Sequence, residues 1–584
     1  KQIDEDREKV KRVLRGEFIP EEKQSFLTTV VIVESPNKAR TIANFFGKPL
    51  RRKLKNLDAY EIAIGDRFLT VVASKGHVYD LNKEEYYFGV KKNGEFVPIF
   101  EPIDEVKNEI INSIRELDLE VKEIFIATDP DTEGEKISYD LYLNSAPYNY
   151  NIKRAEFHEV TKRAFLEAIH NYRDFDVNLV KAQLVRRVAD RWIGFTISQY
   201  IQKKLHKHWL SAGRVQTPVL EWIINRTDEA KKKIAVVRIE INGYPFEFIF
   251  EDKKEAKWFY EHLEFVMISS EKKEEEHLFV KPFTTDTMLS EAAAELKYSP
   301  QDTMQYAQDL FEAGLITYHR TDSIRVSEAG IFVAKEYITE NFGEEYFKPR
   351  TFSTSGGAHE CIRPTRPMDA DELRSMLYTM NIQGISNEHI KLYDLIFKRF
   401  MASQMKETVV EKTTFKIKAF SQELEEDVLT KILEHGYDLI LPVRVYEIPE
   451  GKIDVKDKKK YQLRPKVPYY TFATVIQDMK EKGIGRPSTY AVTVQKLLDR
   501  HYIVERRGFL FPTKLGRTVM NLIKKRKDIY QFVNENFTKE LEEIMDKVEK
   551  GEADYQKELE KLFEELEKRH LFFKIKNKEV LLEE

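Results

Sequence analysis

The chain has 584 residues, 42% hydrophobic and 33% charged, and its formal net charge is only −4. That length is too great for one core and implies roughly three to five domains; no apolar run approaches the ~18 residues of a membrane span, and no leader precedes the first strand, which fits the cytoplasm. One cysteine, Cys361, excludes an intrachain disulfide and a cysteine-rich zinc site, and near-neutrality means that a nucleic-acid partner must meet a local basic face.

Lys1 to Gln24 is mixed in charge and reads as a linker, and a first residue other than Met suggests part of a longer protein. The abundance of Lys and Glu points to a thermophilic source. Thr28 to Val33 is β-branched and ends at Glu34, after which Ser35-Pro36-Asn37 opens a helix carrying Lys38 and Arg40. Proline fits the first turn of a helix, and such an N-terminus favours anions. A carboxylate at the end of a buried parallel strand lies where open α/β sheets place their chemistry. Lys48, Arg51, Arg52, Lys53 and Lys55 form a basic patch or a solvated loop. Phe68 to Ala73 is a second strand and runs into Ser74-Lys75-Gly76-His77. Glu123 to Ala127 is a third, and it delivers Asp129, Asp131 and Glu133 at every second position. Such acids after a strand make an oxygen-ligand cluster suited to Mg²⁺, and Glu34 at a neighbouring strand end would join them.

A helical part follows. From Lys181 to Arg214 it holds Lys181, Arg186, Arg187, Arg191, Lys203, Lys204, Lys207 and Arg214 against Asp190, with Trp192, Tyr200 and Trp209 interleaved. Basic residues follow a phosphate backbone and aromatic faces stack on bases, so the segment reads as a single-strand DNA binder. Val236 to Phe250 alternates as strand, Glu271 to Glu276 is a charge run read as a solvated loop, and Thr287 to Gly314 is helical. Gly356-Gly357-Ala358-His359 places a histidine that could hold or pass a proton, or cap its loop. Lys412 to Phe420 and Gly436 to Tyr446 read as strands, which suggests a discontinuous β domain with the intervening residues inserted in it. Gly483 to Tyr490 is a glycine-bracketed turn into a helix, able to bind phosphate, but it lacks the Lys of a P-loop. Charged helices from Phe537 to Glu567 finish the chain.

The stretch Gly314-Leu315-Ile316-Thr317-Tyr318-His319-Arg320-Thr321-Asp322-Ser323 concentrates a hydroxyl, a guanidinium and a carboxylate. If it is extended, Tyr318, Arg320 and Asp322 share one side. A phenol is a poor nucleophile at neutral pH unless a cation stands near it, and the planar fork of Arg320 suits a phosphate. The stretch reads as a tyrosine built to attack a phosphodiester.

Six blocks in order resemble the type IA DNA topoisomerases: Val33–Ala39, Asp129–Glu135, Ser211–Gln216, Ile316–Ser323, Ala358–Pro364 and Gly485–Tyr490. Closer still, Asn37-Lys38-Ala39-Arg40-Thr41-Ile42-Ala43 and the Thr132 variant of the acidic block are similar to the topoisomerase half of reverse gyrases. The resemblance implies a multidomain α/β and α+β fold, a torus of a TOPRIM α/β domain, helical domains and a β-rich arch. Its parts would be a linker at 1–27, TOPRIM at 28–170, a helical DNA-binding domain at 171–217 with 472–570, the arch at 218–283 with 406–471, and a movable tyrosine-bearing domain at 284–405. It implies catalysis by Tyr318, Glu34, Lys38, Arg320 and His359, with Mg²⁺ on Glu34, Asp129, Asp131 and Glu133. DNA would be lined by His77, Arg187, Arg191, Ser211, Gly213, Arg214, Gln216 and Arg486. No zinc is expected, and ATP enters only through an absent helicase-like domain of the same full-length protein. The partners implied are single-stranded DNA and negatively supercoiled duplex, with no membrane and a monomeric chain. Alone it would relax negative supercoils; joined to the ATPase it would introduce positive ones. The alternatives are a free-standing DNA topoisomerase I, a TOPRIM nuclease or primase, and a non-catalytic single-strand binder.

Overall fold

The computed structural model describes residues 2–17, 27–65, 67–352, 359–380 and 384–572. Gly356, Gly357 and Ala358 of the histidine loop, and the later part of the opening segment, lie outside these residues. The chain divides into two compact units: Lys1–Asp80 with Glu101–Phe157 and Lys162–Asp176, and Leu81–Phe100 with His158–Thr161 and Val177–Glu584.

The first unit opens on a helix, α1 (Gln2–Leu14), where the sequence reads as a linker. Asp4 and Glu5 stand in its first turn and Lys11 and Arg12 in its last, the charge order that complements a helix dipole. There follow β1 (Leu27–Val33), α2 (Pro36–Ala43), β2 (Leu50–Leu54), β3 (Leu57–Ile64) and β4 (Arg67–Ala73). Next come α3 (Glu105–Glu120), β5 (Glu123–Ile126), α4 (Thr132–Ser145), β6 (Ile152–Arg154) and α5 (Lys162–His170). The sheet order is β6-β5-β1-β4-β3-β2. Strand β1 runs parallel to β4 and β5, and β6 parallel to β5; β3 and β2 close the edge antiparallel. Val30, Ile32, Val72, Ile124 and Ile126 pack on Ile110 and Ile114 of α3 and Leu141 of α4, and Val31, Val33 and Phe125 are buried on the opposite face, the two-faced burial that makes parallel strands near-continuously apolar. Val33 lies beside Ala73 and Ile32 beside Ile126, so Glu34, Ser74 and Ala127-Thr128-Asp129 leave the sheet at one edge. The basic patch is the edge strand β2, not a loop; Arg51 pairs with Asp58 and Arg52 with Glu61 on β3.

In the second unit α6 (Val177–Leu205) and α7 (Gln216–Glu229) lead to β7 (Lys233–Ile241), β8 (Tyr244–Phe250) and β9 (Phe265–Leu278). Helices α8 (Pro300–Glu312) and α9 (Asn387–Ser403) follow, then β10 (Thr408–Ala419), β11 (Gln422–Glu434), β12 (Gly451–Asp454) and β13 (Lys459–Pro465). The unit ends with α10 (Tyr490–Asp499), α11 (Glu535–Glu549) and α12 (Tyr555–Lys568). Two sheets, β8-β7-β13 and β11-β10-β9-β12, join strands from before and after the tyrosine region. Glu271 to Glu276 is not a loop: it lies inside β9, where Lys273 faces Thr413 and Glu275 faces Glu411. Its side chains are mostly exposed, so no apolar alternation betrays the strand. Gly436 to Tyr446 is not a strand. There Tyr437–Leu439 is a single tight turn, pinned because Asp438 accepts from the Gly436 amide at 2.7 Å and the Thr408 hydroxyl at 2.9 Å.

Candidate functional site

At the exit edge of the first sheet, Ser35 caps α2 by accepting from the amides of Asn37 and Lys38. That turn sends Lys38 inward to 1% exposure, where its ammonium donates to the Ala127 carbonyl at 3.1 Å and to Asp129 Oδ1 at 2.9 Å. Glu34 accepts from the Asp129 amide. Burial drives the Glu34 carboxyl well above the usual carboxylate range, and the Asp129 and Asp131 charges add to this against the opposing pull of Lys38. Asp131 caps α4, its Oδ1 accepting from the Gly134 amide at 2.6 Å, and Glu133 lies 2.9 Å from His77 Nε2. The loop between is fixed from beneath. A Cβ on Gly134 would stand 2.1 Å from the Asp129 carbonyl, and Arg154 donates to that same carbonyl at 3.0 Å and to Glu135 at 3.0 Å. Glu34, Asp129 and Asp131 thus crowd negative charge around one lysine. That donor chemistry fits a hard divalent cation taking a few carboxylates plus waters and phosphate. Among the described residues no three His, Cys, Asp or Glu side chains form a ready metal cage.

In the second unit Tyr318 is 2% exposed. The stretch around it is not one extended strand. Ile316 and Thr317 make isolated bridges, and the chain bends at His319 and Arg320. Period-two projection is therefore lost: Tyr318 and His319 are both buried, Arg320 is half-buried and Asp322 is exposed. The Tyr318 ring packs edge-on against Phe311 at 5.1 Å and His319 at 5.4 Å. The Thr317 amide donates to the Arg363 carbonyl at 2.9 Å, and the Tyr318 amide to the His158 carbonyl at 2.7 Å. His359 meets His158 edge-on at 5.2 Å, and its carbonyl accepts from Arg325. Burial, then the neighbouring Arg320 charge, push the His319 imidazole well below its usual range.

The basic aromatic segment divides. Trp192 is core, its Nε1 donating to the Tyr87 carbonyl, whereas Trp209 is exposed with the Lys207 ammonium over its ring at 5.5 Å, and Lys203 and Lys204 are exposed. Arg187 is half-buried, and Arg191 donates to the Leu81 and Asn82 carbonyls while stacking on Phe195. Ser211 Oγ accepts from Arg500 at 3.0 Å, and its amide donates to the Tyr502 hydroxyl at 3.1 Å. Gly213 gives its carbonyl to Thr217, and Gln216 is buried beside it. Arg214 pairs with Glu542 at 2.6 Å and Asp190 at 2.9 Å; Arg486 pairs with Asp546 at 2.6 Å and lies 3.6 Å from Glu542. Burial pushes the Glu542 carboxyl up, but the Arg214, Arg186 and Arg486 charges hold it below its usual range. Glu542, Arg500, Tyr502 and His158 were not singled out in the sequence; each sits in an ordinary amphipathic or loop context that carries no motif.

The profile of the DNA topoisomerase family matches residues 174–560, and that of the Toprim domain residues 29–160. The chain belongs to the type IA DNA topoisomerases. This topoisomerase chain is 52% identical to reverse gyrase 1 of Aquifex aeolicus, covering 95% of the chain and 49% of that protein. It is 42% identical to the reverse gyrase of Pyrococcus furiosus, covering 95% of the chain and 48% of that protein. It spans about half the length of the curated relatives it matches. Among solved structures, full-length topoisomerase I from Thermotoga maritima is similar at 32% identity and TM-score 0.73, covering 92% of this chain and 90% of that one. The topoisomerase is multidomain, α/β in its first unit and α+β in its second. Among its described residues no helix is long and apolar enough to cross a membrane.

Proposed function

We propose that this topoisomerase chain is the strand-cutting half of a reverse gyrase, opening one DNA strand through a covalent bond to Tyr318 and then resealing it. The observation that carries the reading is Tyr318 itself, anchored through its own amide and that of Thr317, in a chain whose other unit gathers Glu34, Lys38 and Asp129 at one sheet edge.

The Tyr318 phenol gives up its proton to solvent water as its oxygen attacks the phosphorus and the 3′-oxygen leaves, giving a 5′-phosphotyrosine and a free 3′-hydroxyl. Glu34, whose environment favours its protonated form, gives its proton to the leaving oxygen and takes it back on resealing. Arg320 and Lys38 stabilise the charge that develops on the phosphoryl oxygens, with His359 supporting that contact. Asp129, Asp131 and Glu133, with Glu34, would hold Mg²⁺, which when bound neutralises phosphate charge and keeps the cut ends in place for resealing. The bond energy stays in the phosphotyrosine, so cutting and rejoining need no ATP.

His77, Arg187, Arg191, Ser211, Gly213, Arg214, Gln216 and Arg486 would line the path of a single strand, Arg214 and Arg486 partly by fixing the turn that carries Ser211 and Gly213. The parts that work against one another would be 28–170, 171–217 with 472–570, 218–283 with 406–471, and 284–405. The substrates are single-stranded DNA and negatively supercoiled duplex. The chain relaxes negative supercoils as a monomer, and positive supercoiling requires a helicase-like ATPase in the same full-length protein.

The test is a trapping assay with end-labelled single-stranded DNA, denatured abruptly. Label should remain on the protein through the 5′ end of the cut and be lost in Tyr318→Phe. Cutting without an adduct would instead favour a magnesium nuclease built on the Toprim domain.

A further inference from the structure

The first sheet carries a further cluster of charge at the edge where its strands begin. Arg67 faces Leu27 on the first rung between β1 and β4, and Glu123 faces Thr29 on the first rung between β1 and β5. Glu34 and Asp129 leave beyond the last rungs, and the five residues from Thr29 to Glu34 span roughly 17 Å of strand. The registers put Arg67, Leu69, Thr29, Glu123, Phe125 and Lys153 on one face of the sheet, opposite Val30 and Ile32. Between that face and α5, which ends at His170, lies a cavity of about 510 Å³. Arg67, Leu69 and Lys153 line it from the sheet, and Phe165, His170 and Tyr172 from the helix and the residues just after it. Its volume is that of a small-molecule pocket, ~300–1,000 Å³, and all of its lining belongs to the first unit.

The charges here do not cancel. Glu123, 4% exposed, accepts on Oε1 from the Thr29 hydroxyl at 2.7 Å and from Arg67, and its Oε2 lies 3.6 Å from the Lys153 ammonium. One carboxylate thus meets two cations, one more than a buried acid needs for balance, and the exposed His170 ring brings a further donor to the mouth. Arg67 gives Nη1 to Glu123 and Thr29, while its Nε and Nη2 make no hydrogen bond or ion pair among the described residues. A guanidinium edge presented in this way matches two oxygens of a phosphate. Both cations are also placed by aromatic faces: Arg67 and Lys153 lie 5.9 and 5.5 Å from the Phe125 ring centre, and Lys153 lies 4.3 Å from that of Tyr172. The Tyr172 ring is 50% exposed. A bare inorganic anion would engage the cations and leave this ring, with the Leu69 and Phe165 floor, uncovered. A phosphate joined to a planar ring would cover both.

We propose that this cavity binds a nucleotide, its phosphate held by Arg67, Lys153 and His170 and its base stacked on Tyr172. Two sources present that same chemistry, a free nucleotide and the end of a DNA strand. The occupant is distinct from the strand being cut, because Glu34 and Asp129 stand at the other end of the same strands. The site stands whatever the role of Tyr318.

The test is calorimetric titration of the whole chain with dAMP, deoxyadenosine and inorganic phosphate, in EDTA so that no metal on the acidic edge captures phosphate. The nucleotide should bind more tightly than either fragment. Arg67→Gln and Lys153→Gln should each weaken it about ten-fold, and Tyr172→Ala about five-fold. Tyr172→Ala and His170→Ala change exposed side chains, so they carry the test if loss of a Glu123 partner prevents folding. No dAMP binding by the parent chain, parental affinity in Tyr172→Ala and His170→Ala, or phosphate bound as tightly as dAMP would overturn the proposal. A 5′-phosphorylated tetranucleotide separates the sources. Affinity above that of dAMP and lost in Lys153→Gln identifies a strand end; affinity no higher, or an excess that survives Lys153→Gln, identifies a free nucleotide.

Discussion

Each unit of the molecule buries a cluster of charge, and the two are balanced differently. Around Glu542 three arginines, Arg186, Arg214 and Arg486, meet three acids, Glu542, Asp190 and Asp546, and Glu542 is held in its charged form. At the exit edge of the first sheet Glu34 and Asp129 share Lys38, Asp131 adds its charge against Glu34, and Glu34 is driven toward its neutral form. A cluster that only holds a fold together settles its charges internally. On the proposed reading, the second cluster keeps an excess of negative charge that a cation and a proton would complete.

The contrast can be broken by removing the central acid from each. Glu34→Gln should cost about 10²- to 10⁴-fold in the rate of cutting and resealing, while leaving the thermal midpoint equal or higher because a neutral amide replaces a carboxyl whose charged form burial disfavours; a lower midpoint would show that Glu34 is structural. Glu542→Gln should do the reverse. It leaves three arginines around a neutral amide and should destabilise the second unit by about 3–5 kcal/mol, read by denaturant melting.

Asp118 sharpens the comparison, because it is a buried acid in the first unit with no cation beside it among the described residues. Burial raises its carboxyl to about 6. Its folded-state value lies above the unfolded one, so the stability it supports is full below about pH 4 and is lost as pH rises through about 6. Asp118→Asn should therefore stabilise the chain at pH 7 by up to ~3 kcal/mol, and the gain should vanish by about pH 4. A gain independent of pH would exclude titration as its origin. The smallest effect is expected at Arg500, whose Nε anchors Ser211. Arg500→Ala should weaken single-strand binding by about 1 kcal/mol, measured at fixed salt, without altering adduct formation at saturating DNA.

Much of this was legible in the sequence because the first sheet announces itself. Apolar runs ending in Glu34 and Asp129, with a proline-led helix after one of them, translate directly into strand ends at one edge. The tyrosine stretch was readable as a candidate for chemistry but not as shape: the bend at His319 and Arg320 is held by Thr285, far away in the chain, whose hydroxyl donates to the His319 and Thr321 carbonyls. The same holds for Trp192, whose place among basic residues suggested a stacking surface although it fills the core beneath them. Strand β9 was hidden by its own charges, since a strand held by backbone pairing and wet on both faces has no apolar period to read.

The last rung of the β9–β10 ladder pairs Leu278 with Thr408. The chain therefore leaves for the tyrosine region and returns from it through two adjacent, hydrogen-bonded strands. Paired strands resist sliding past one another, because that shears every rung, but the ribbon here, β11-β10-β9, is only three strands wide and bends more easily across its face. Attached by such a leaf spring, the tyrosine region has one soft direction of travel and several stiff ones. A displaced tyrosine would then return along the path by which it left, which matters for a protein that must bring a severed end back to the atom it was cut from.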